Sequence, residues 1–140
     1  MRPAPILWFE RLMLLALAID LLNNLAAWHG FAAGLAARGL TPNPIVVFLL
    51  CIASPALGLV LWYFVTRRAS VVARWIVTIL VLLGTLGFIA TALRNPGAFG
   101  QTTFLVAALA ELLKLAAIAC LFQPAAAGWF ARRGPPATRS

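Results

Sequence analysis

The chain has 140 residues, 64% of them hydrophobic, with 11 basic against 3 acidic side chains and a formal net charge of +8. A soluble domain of this size needs far more polar surface, so the composition makes a lipid bilayer the outer solvent. Inside a bilayer each backbone N–H and C=O must find a partner within the protein, which leaves helices or a closed barrel. The apolar runs lack period-2 alternation, and that excludes the barrel.

Four apolar stretches, near residues 6–28, 45–65, 71–93 and 102–122, dominate the chain. Each supplies the roughly 20 residues that cross roughly 30 Å of hydrocarbon. The expected fold is all-α: a polytopic membrane protein built as a four-transmembrane-helix antiparallel bundle over residues 1–133, with no length left for a second domain.

The first helix opens after Pro3 and Pro5, which suit a helix start. Trp8 and Trp28 bracket it at the spacing of an aromatic belt. The run is too long for a signal peptide, contains Glu10 and Asp20, and lacks a clean cleavage site, so it reads as a retained helix. The connection His29–Pro44 is the longest. Its Phe31, Leu35 and Leu40 predict a short interfacial helix with Arg38 outward. Pro55 should kink the second helix, and Trp62 and Tyr63 mark an interface at its end. Ser70 is placed to cap the third helix. Gly84 and Gly87 offer a close approach to a neighbour. The fourth helix is rich in alanine, which also favours tight helix packing, and Pro124 stops it. Trp129, Arg132 and Arg133 then read as an interfacial anchor within residues 124–133. Residues 134–140 read as a disordered tail.

Four spans place both termini on one side. That side holds Arg2, Arg11, Arg67, Arg68, Arg74, Arg132, Arg133 and Arg139, and the other holds Arg38 and Arg94. The bias predicts cytoplasmic termini in a bacterial inner membrane. Arginines at the ends of apolar runs point to anionic lipid head groups as a partner and away from nucleic acid.

The exceptions to the apolar rule carry the functional question. Depth follows from a rise of about 1.5 Å per residue. Measured from Ile6, Glu10 lies at about 6 Å, Asp20 at about 21 Å and Asn24 at about 27 Å. Measured from Phe122 on the antiparallel fourth helix, Lys114 lies at about 12 Å and Glu111 at about 16 Å. Glu10, Asp20, Asn23 and Asn24 share one broad face of the first helix, and Glu111 and Lys114 share a face of the fourth. The expected arrangement apposes these two helices, with Lys114 paired to Glu10 or Asp20. Such a cluster is either a buried ion pair that fixes register or docks a subunit, or a proton or substrate site.

Cys51 and Cys120 fall at different depths and are expected to stay unpaired. His29 is the only histidine, and it stands at the outer interface. No Ser-His-Asp set, HExxH, CxxC or glycine-rich phosphate loop occurs. No metal, cofactor or catalytic residue is therefore implied.

The opening Arg2-Pro3 with Ile6 and Phe9-Glu10-Arg11-Leu12, and the closing Leu121-Phe122 with Pro124, Ala126 and Trp129-Phe130, resemble small uncharacterised four-helix inner-membrane proteins of bacteria. The likeness covers the two ends of the chain. It implies the fold and brings no activity with it. In size the chain is also similar to small multidrug-resistance transporters, which place a carboxylate in the first helix, a part that Glu10 or Asp20 would play. The surrounding residues, and the second group Glu111 and Lys114, depart from that pattern. The functional expectation is a non-enzymatic accessory or assembly subunit of a membrane complex, acting through helix packing against another membrane protein or itself. The alternative is a small homo-oligomeric proton-coupled carrier.

Overall fold

The computed structural model describes residues 4–41, 43–95, 97, 101–126 and 128. Its elements are α1 (Ala4–Ala26), α2 (Trp28–Ala37), α3 (Pro44–Arg68), α4 (Val71–Arg94) and α5 (Thr102–Leu121). Among the described residues the fold is all-helical, without strands. Three helices, α3, α4 and α5, are long and apolar enough to cross a membrane. The expected first span meets only half of that test. At 23 residues α1 has the length, but any 18-residue stretch of it contains Glu10, Arg11 and Asp20.

Local chemistry sets the helix ends. Pro44 opens α3 at a position where its missing N–H costs nothing, and Asn43 Oδ1 accepts from the Ile45 N–H at 2.8 Å. Ser70 Oγ accepts from the Ala73 N–H at 3.1 Å and so caps α4. Between them the chain reverses through Ala69, whose left-handed φ of 50° lets its N–H reach back to the Phe64 carbonyl. α3 passes through Pro55 as one element, with Pro55 buried.

Helix α1 lies most extensively against α5 and also against α3; α4 packs on α3 and α5 and completes a ring. Specific contacts fix the directions. Leu17 meets Gly58 and Asn24 meets Cys51, so α1 and α3 are antiparallel. Phe88 stacks on Phe104 at 4.7 Å and Trp75 packs on Phe122 at 5.6 Å, so α4 and α5 are antiparallel too. The bundle thus has a turn end, at Ala69–Ser70, and an α2 end.

The core sits toward the turn end. Ile6, Phe9 and Met13 of α1 join Leu61 and Val65 of α3, Ala73 and Val77 of α4, and Ala117 and Leu121 of α5. Helix α2 buries no residue.

Several expected boundaries move. Trp28 opens α2 instead of closing the first helix, and Leu40 lies beyond α2, exposed. Helix α5 ends at Leu121, and residues 124–126 turn helical again, because Pro124 suits a first helical position better than an interior one. Gly84 and Gly87 do not receive a neighbour: no atom lies within 4 Å of where either Cβ would stand. The close approach is at Gly58, where an added Cβ would overlap Leu17. Trp129, Arg132 and Arg133, most of the segment 124–133 and the tail 134–140 lie outside the described residues.

Candidate functional site

Three helices bring polar side chains together at mid-height. Lys114 on α5 reaches across to Asp20 on α1, with Nζ 2.5 Å from Oδ2. Its own helix supplies the second carboxylate, because Glu111 lies one turn back and faces the same way; Nζ donates to Oε1 at 2.9 Å. The other Glu111 oxygen accepts from Thr85 Oγ1 on α4 at 3.1 Å. The three charged side chains retain only 11–16% of their exposure.

The network is narrower than the face predicted for the first helix. Of its polar residues only Asp20 reaches Lys114. Glu10 lies ten residues earlier, about 15 Å along the helix, beside the turn-end core. Asn24 turns toward α3, where Nδ2 donates to the Cys51 carbonyl at 3.0 Å and Cys51 Sγ donates to the Asn24 carbonyl at 3.4 Å. Asn23 lines a separate polar vestibule at the α2 end. The cause is geometric: at about 100° per residue, Asn24 is rotated some 40° from Asp20, enough to select a different neighbour.

Thr85 was not legible as a partner from its residue type alone. Its depth carries a signal. It stands 14 residues into α4, about 21 Å along the helix, the same height as Asp20. A hydroxyl inside an apolar run at the height of a buried carboxylate is a natural donor to it.

Two hollows flank the network. A cavity of about 350 Å³ lies among α1, α3, α4 and α5 at mid-height, and Glu111 and Lys114 form its polar end. Its walls are apolar, including Met13, Leu17, Leu57 and Val81, and its rim at Ala53, Ser54 and Gly84 is exposed. The vestibule is larger, about 810 Å³, and is lined by Asn23, Asn24, Thr91, Arg94 and Gln101 among others.

The aromatic side chains expected at the interfaces differ in exposure. Trp8 is 56% exposed and Tyr63 46%, as expected of side chains on the outer surface, whereas Trp62 is half-buried and packs on the core. Trp28, at the start of α2, is half-buried. Trp75, on which no sequence expectation rests, meets Phe122 edge to face, with the Arg74 guanidinium 5.0 Å from the Phe122 ring. The adjacent Arg-Trp pair in the first turn of α4 was the available signal.

Cys51 and Cys120 are both free thiols, Cys51 buried and Cys120 half-buried. His29 is exposed on α2. Among the described residues no three of His, Cys, Asp and Glu gather where they could hold a metal ion. Comparison with protein-family models, curated proteins and solved structures finds no match to this chain.

Proposed function

We propose that the chain is an integral protein of the bacterial inner membrane in which α1 forms a fourth span beside α3, α4 and α5. Two observations support the embedding of α1. Asp20 is neutralised by Lys114 inside the bundle, and the large exposed side chains of α1 are Leu7, Trp8, Leu15, Leu22 and Leu25, with one charge, Arg11, toward the turn end. Arg11, Arg67, Arg68 and Arg74 gather toward the turn end, while Arg38 and Arg94 lie toward the α2 end. The positive-inside rule then puts the turn end, and with it both termini, on the cytoplasmic side.

On this reading the protein is non-enzymatic and serves as an accessory or assembly subunit of a membrane complex through helix packing. The observation that carries it is the self-contained network Asp20–Lys114–Glu111–Thr85, which stitches α1, α4 and α5 at one height. A buried ion pair of this kind fixes register without requiring chemistry. The test is mild-detergent purification from the native membrane with mass spectrometry of what co-migrates. A different membrane protein in fixed ratio is expected; a self-dimer alone overturns the accessory role. Single cysteines at Ala36 and Arg68, in a chain with Cys51 and Cys120 replaced by alanine, test the embedding. The reading requires periplasmic labelling at position 36 only.

One observation favours a second reading, a small homo-oligomeric proton-coupled carrier. The mid-height cavity ends on Glu111 and Lys114, and intramembrane ionisable groups beside a cavity commonly mark substrate or proton paths.

A further inference from the structure

No acidic side chain lines the α2 end. The acids of the chain are Glu10, Asp20 and Glu111. Glu10 lies beside the turn-end core, and the other two are turned to Lys114. A cation does line it. Arg94 borders the vestibule, exposed, and among the described residues it forms no ion pair. It stands about 35 Å along α4 from Val71, just past the roughly 30 Å of hydrocarbon and so at head-group level. A last-turn arginine complements the α4 dipole, which calls for its charge but not for its five N–H donors. Asn23, Gln101 and Thr103 add amides and a hydroxyl to the same hollow. Thr103 belongs to the first turn of α5, which no side chain caps, so further donors and the positive end of that helix stand beside Arg94.

An apolar groove adjoins. Ala27 and Phe31 line both the vestibule and a hollow of about 440 Å³ between α2 and α3. Gly30, Gly34, Leu35 and Leu50 line the groove, with Arg38 as its one charge. Nothing lies within 4 Å of the absent Cβ of Gly30 or Gly34, so the groove stays open. Leu50 stands about 9 Å from the start of α3, at the height of hydrocarbon.

We propose that the α2 end holds one anionic phospholipid of the adjacent leaflet, with its phosphodiester on Arg94 in the vestibule and an acyl chain in the α2–α3 groove. The inference goes beyond the accessory reading and rests on the four-span embedding. The arginine fork matches phosphate oxygens, and a basic pocket between membrane helices is a known form of head-group site. The vestibule, about 810 Å³, exceeds a phosphate and leaves room for the rest of a head group. With no carboxylate lining either hollow to receive an ammonium, a glycerol head fits better than choline or ethanolamine, because its hydroxyls can exchange hydrogen bonds with the amides. A free phosphate ester would use Arg94 and leave the groove bare.

The experiment is native mass spectrometry of the full chain released from detergent micelles, titrated with dioleoylphosphatidylglycerol, dioleoylphosphatidylcholine or glycerol 1-phosphate. One phosphatidylglycerol is expected to bind at least 10-fold more tightly than phosphatidylcholine, and glycerol 1-phosphate more weakly than either. Arg94→Gln should weaken phosphatidylglycerol at least 5-fold, and Gly34→Leu, which fills the groove, by a similar factor, with helical content and thermal unfolding unchanged in both. Arg67→Gln, at the turn end, should bind as the wild type does. Equal binding of the two lipids, full binding by Arg94→Gln, or an equal loss in Arg67→Gln would overturn the site. Glycerol 1-phosphate binding as tightly as the lipid, with Gly34→Leu unaffected, would overturn it in favour of a soluble phosphate ester. Failure here with position 36 still labelled from the periplasm removes the lipid site and leaves the embedding. Failure of that labelling removes the embedding itself.

Discussion

The two ends of the bundle are built on different terms. Toward the turn end, Ile6, Phe9, Val65, Val77 and Leu121 are at most 1% exposed and interlock across four helices. Toward the α2 end, burial thins to small side chains, among them Val47, Cys51, Ala92 and Ala110, and the space between helices becomes a vestibule of mixed polar and apolar lining. Lipid chains are as apolar as leucine, so packing in a membrane gains from close van der Waals fit and not from escape from water. Only the turn end has that fit. The polar network lies between the two regimes, where apolar packing ends and polar lining begins. The packed half can therefore hold the fold while the other half stays open.

The strongest way to break this comparison is at the boundary. Lys114→Ala leaves Asp20 and Glu111 facing each other, and removal of one partner from a buried pair costs about 3–5 kcal/mol. The expected result is a loss of that size in reversible unfolding in mixed micelles. Replacing Asp20 and Lys114 together by leucine, with Glu111→Gln to remove the remaining charge while its amide oxygen still accepts from Thr85, should recover much of it. A harmless Lys114→Ala would mean that the network is wet and belongs with the open half.

The next effect compares one phenylalanine from each half. Phe9 is fully buried at the turn end, whereas Phe31 is half-buried beside the vestibule. At about 24 cal/mol per Å³ of cavity, a hole of roughly 100 Å³ makes Phe9→Ala cost about 2 kcal/mol. Phe31→Ala should cost under about 1 kcal/mol, because its site already opens to solvent. Equal losses in the same unfolding assay would erase the distinction between the halves.

Much of this was written in the sequence, for reasons that differ from helix to helix. Uninterrupted apolar length fixes α3, α4 and α5, because a bilayer-spanning run has one economical conformation. The depth of Lys114 against Glu10 and Asp20 narrowed its partner to two candidates, since rise per residue is constant. What the sequence did not decide was which neighbour each polar residue would choose. Asn24 shares the broad face of Asp20 yet bonds α3, because a 40° rotation is enough to change partner in a four-helix ring. Glycine spacing misled in the same way. Gly84 and Gly87 have the one-turn spacing of a packing seam, but the close contact falls at Gly58, which has no such neighbour in its helix. Small residues permit an approach; whether a helix arrives depends on the rest of the ring.

That distinction is itself testable by one substitution made twice. Gly58→Ala forces a methyl onto Leu17 and should cost about 1–2 kcal/mol through overpacking. Gly84→Ala meets open space and should be neutral or stabilising by up to about 1 kcal/mol, since alanine restricts the unfolded chain and favours the helix. Thermal unfolding of the two variants beside the wild type reads the difference. A destabilised Gly84→Ala would place another chain or helix against that face.

The smallest expected effect sharpens the comparison most finely. Asn24 and Cys51 exchange two bonds between α1 and α3, each running from a side chain to a backbone carbonyl. Interhelical hydrogen bonds in membranes average about 0.6 kcal/mol, because the separated helices find other partners. Here the penalty is held down further on the Asn24 side, because Asn24 also lines the vestibule, where water can replace its amide. Asn24→Ala should therefore cost no more than about 0.6 kcal/mol, well below Phe9→Ala although it removes the more specific contact. A loss near 2 kcal/mol would show that the α2 end is as dry as the turn end. The vestibule would then be closed in the membrane, and α1 would be held to α3 at both heights.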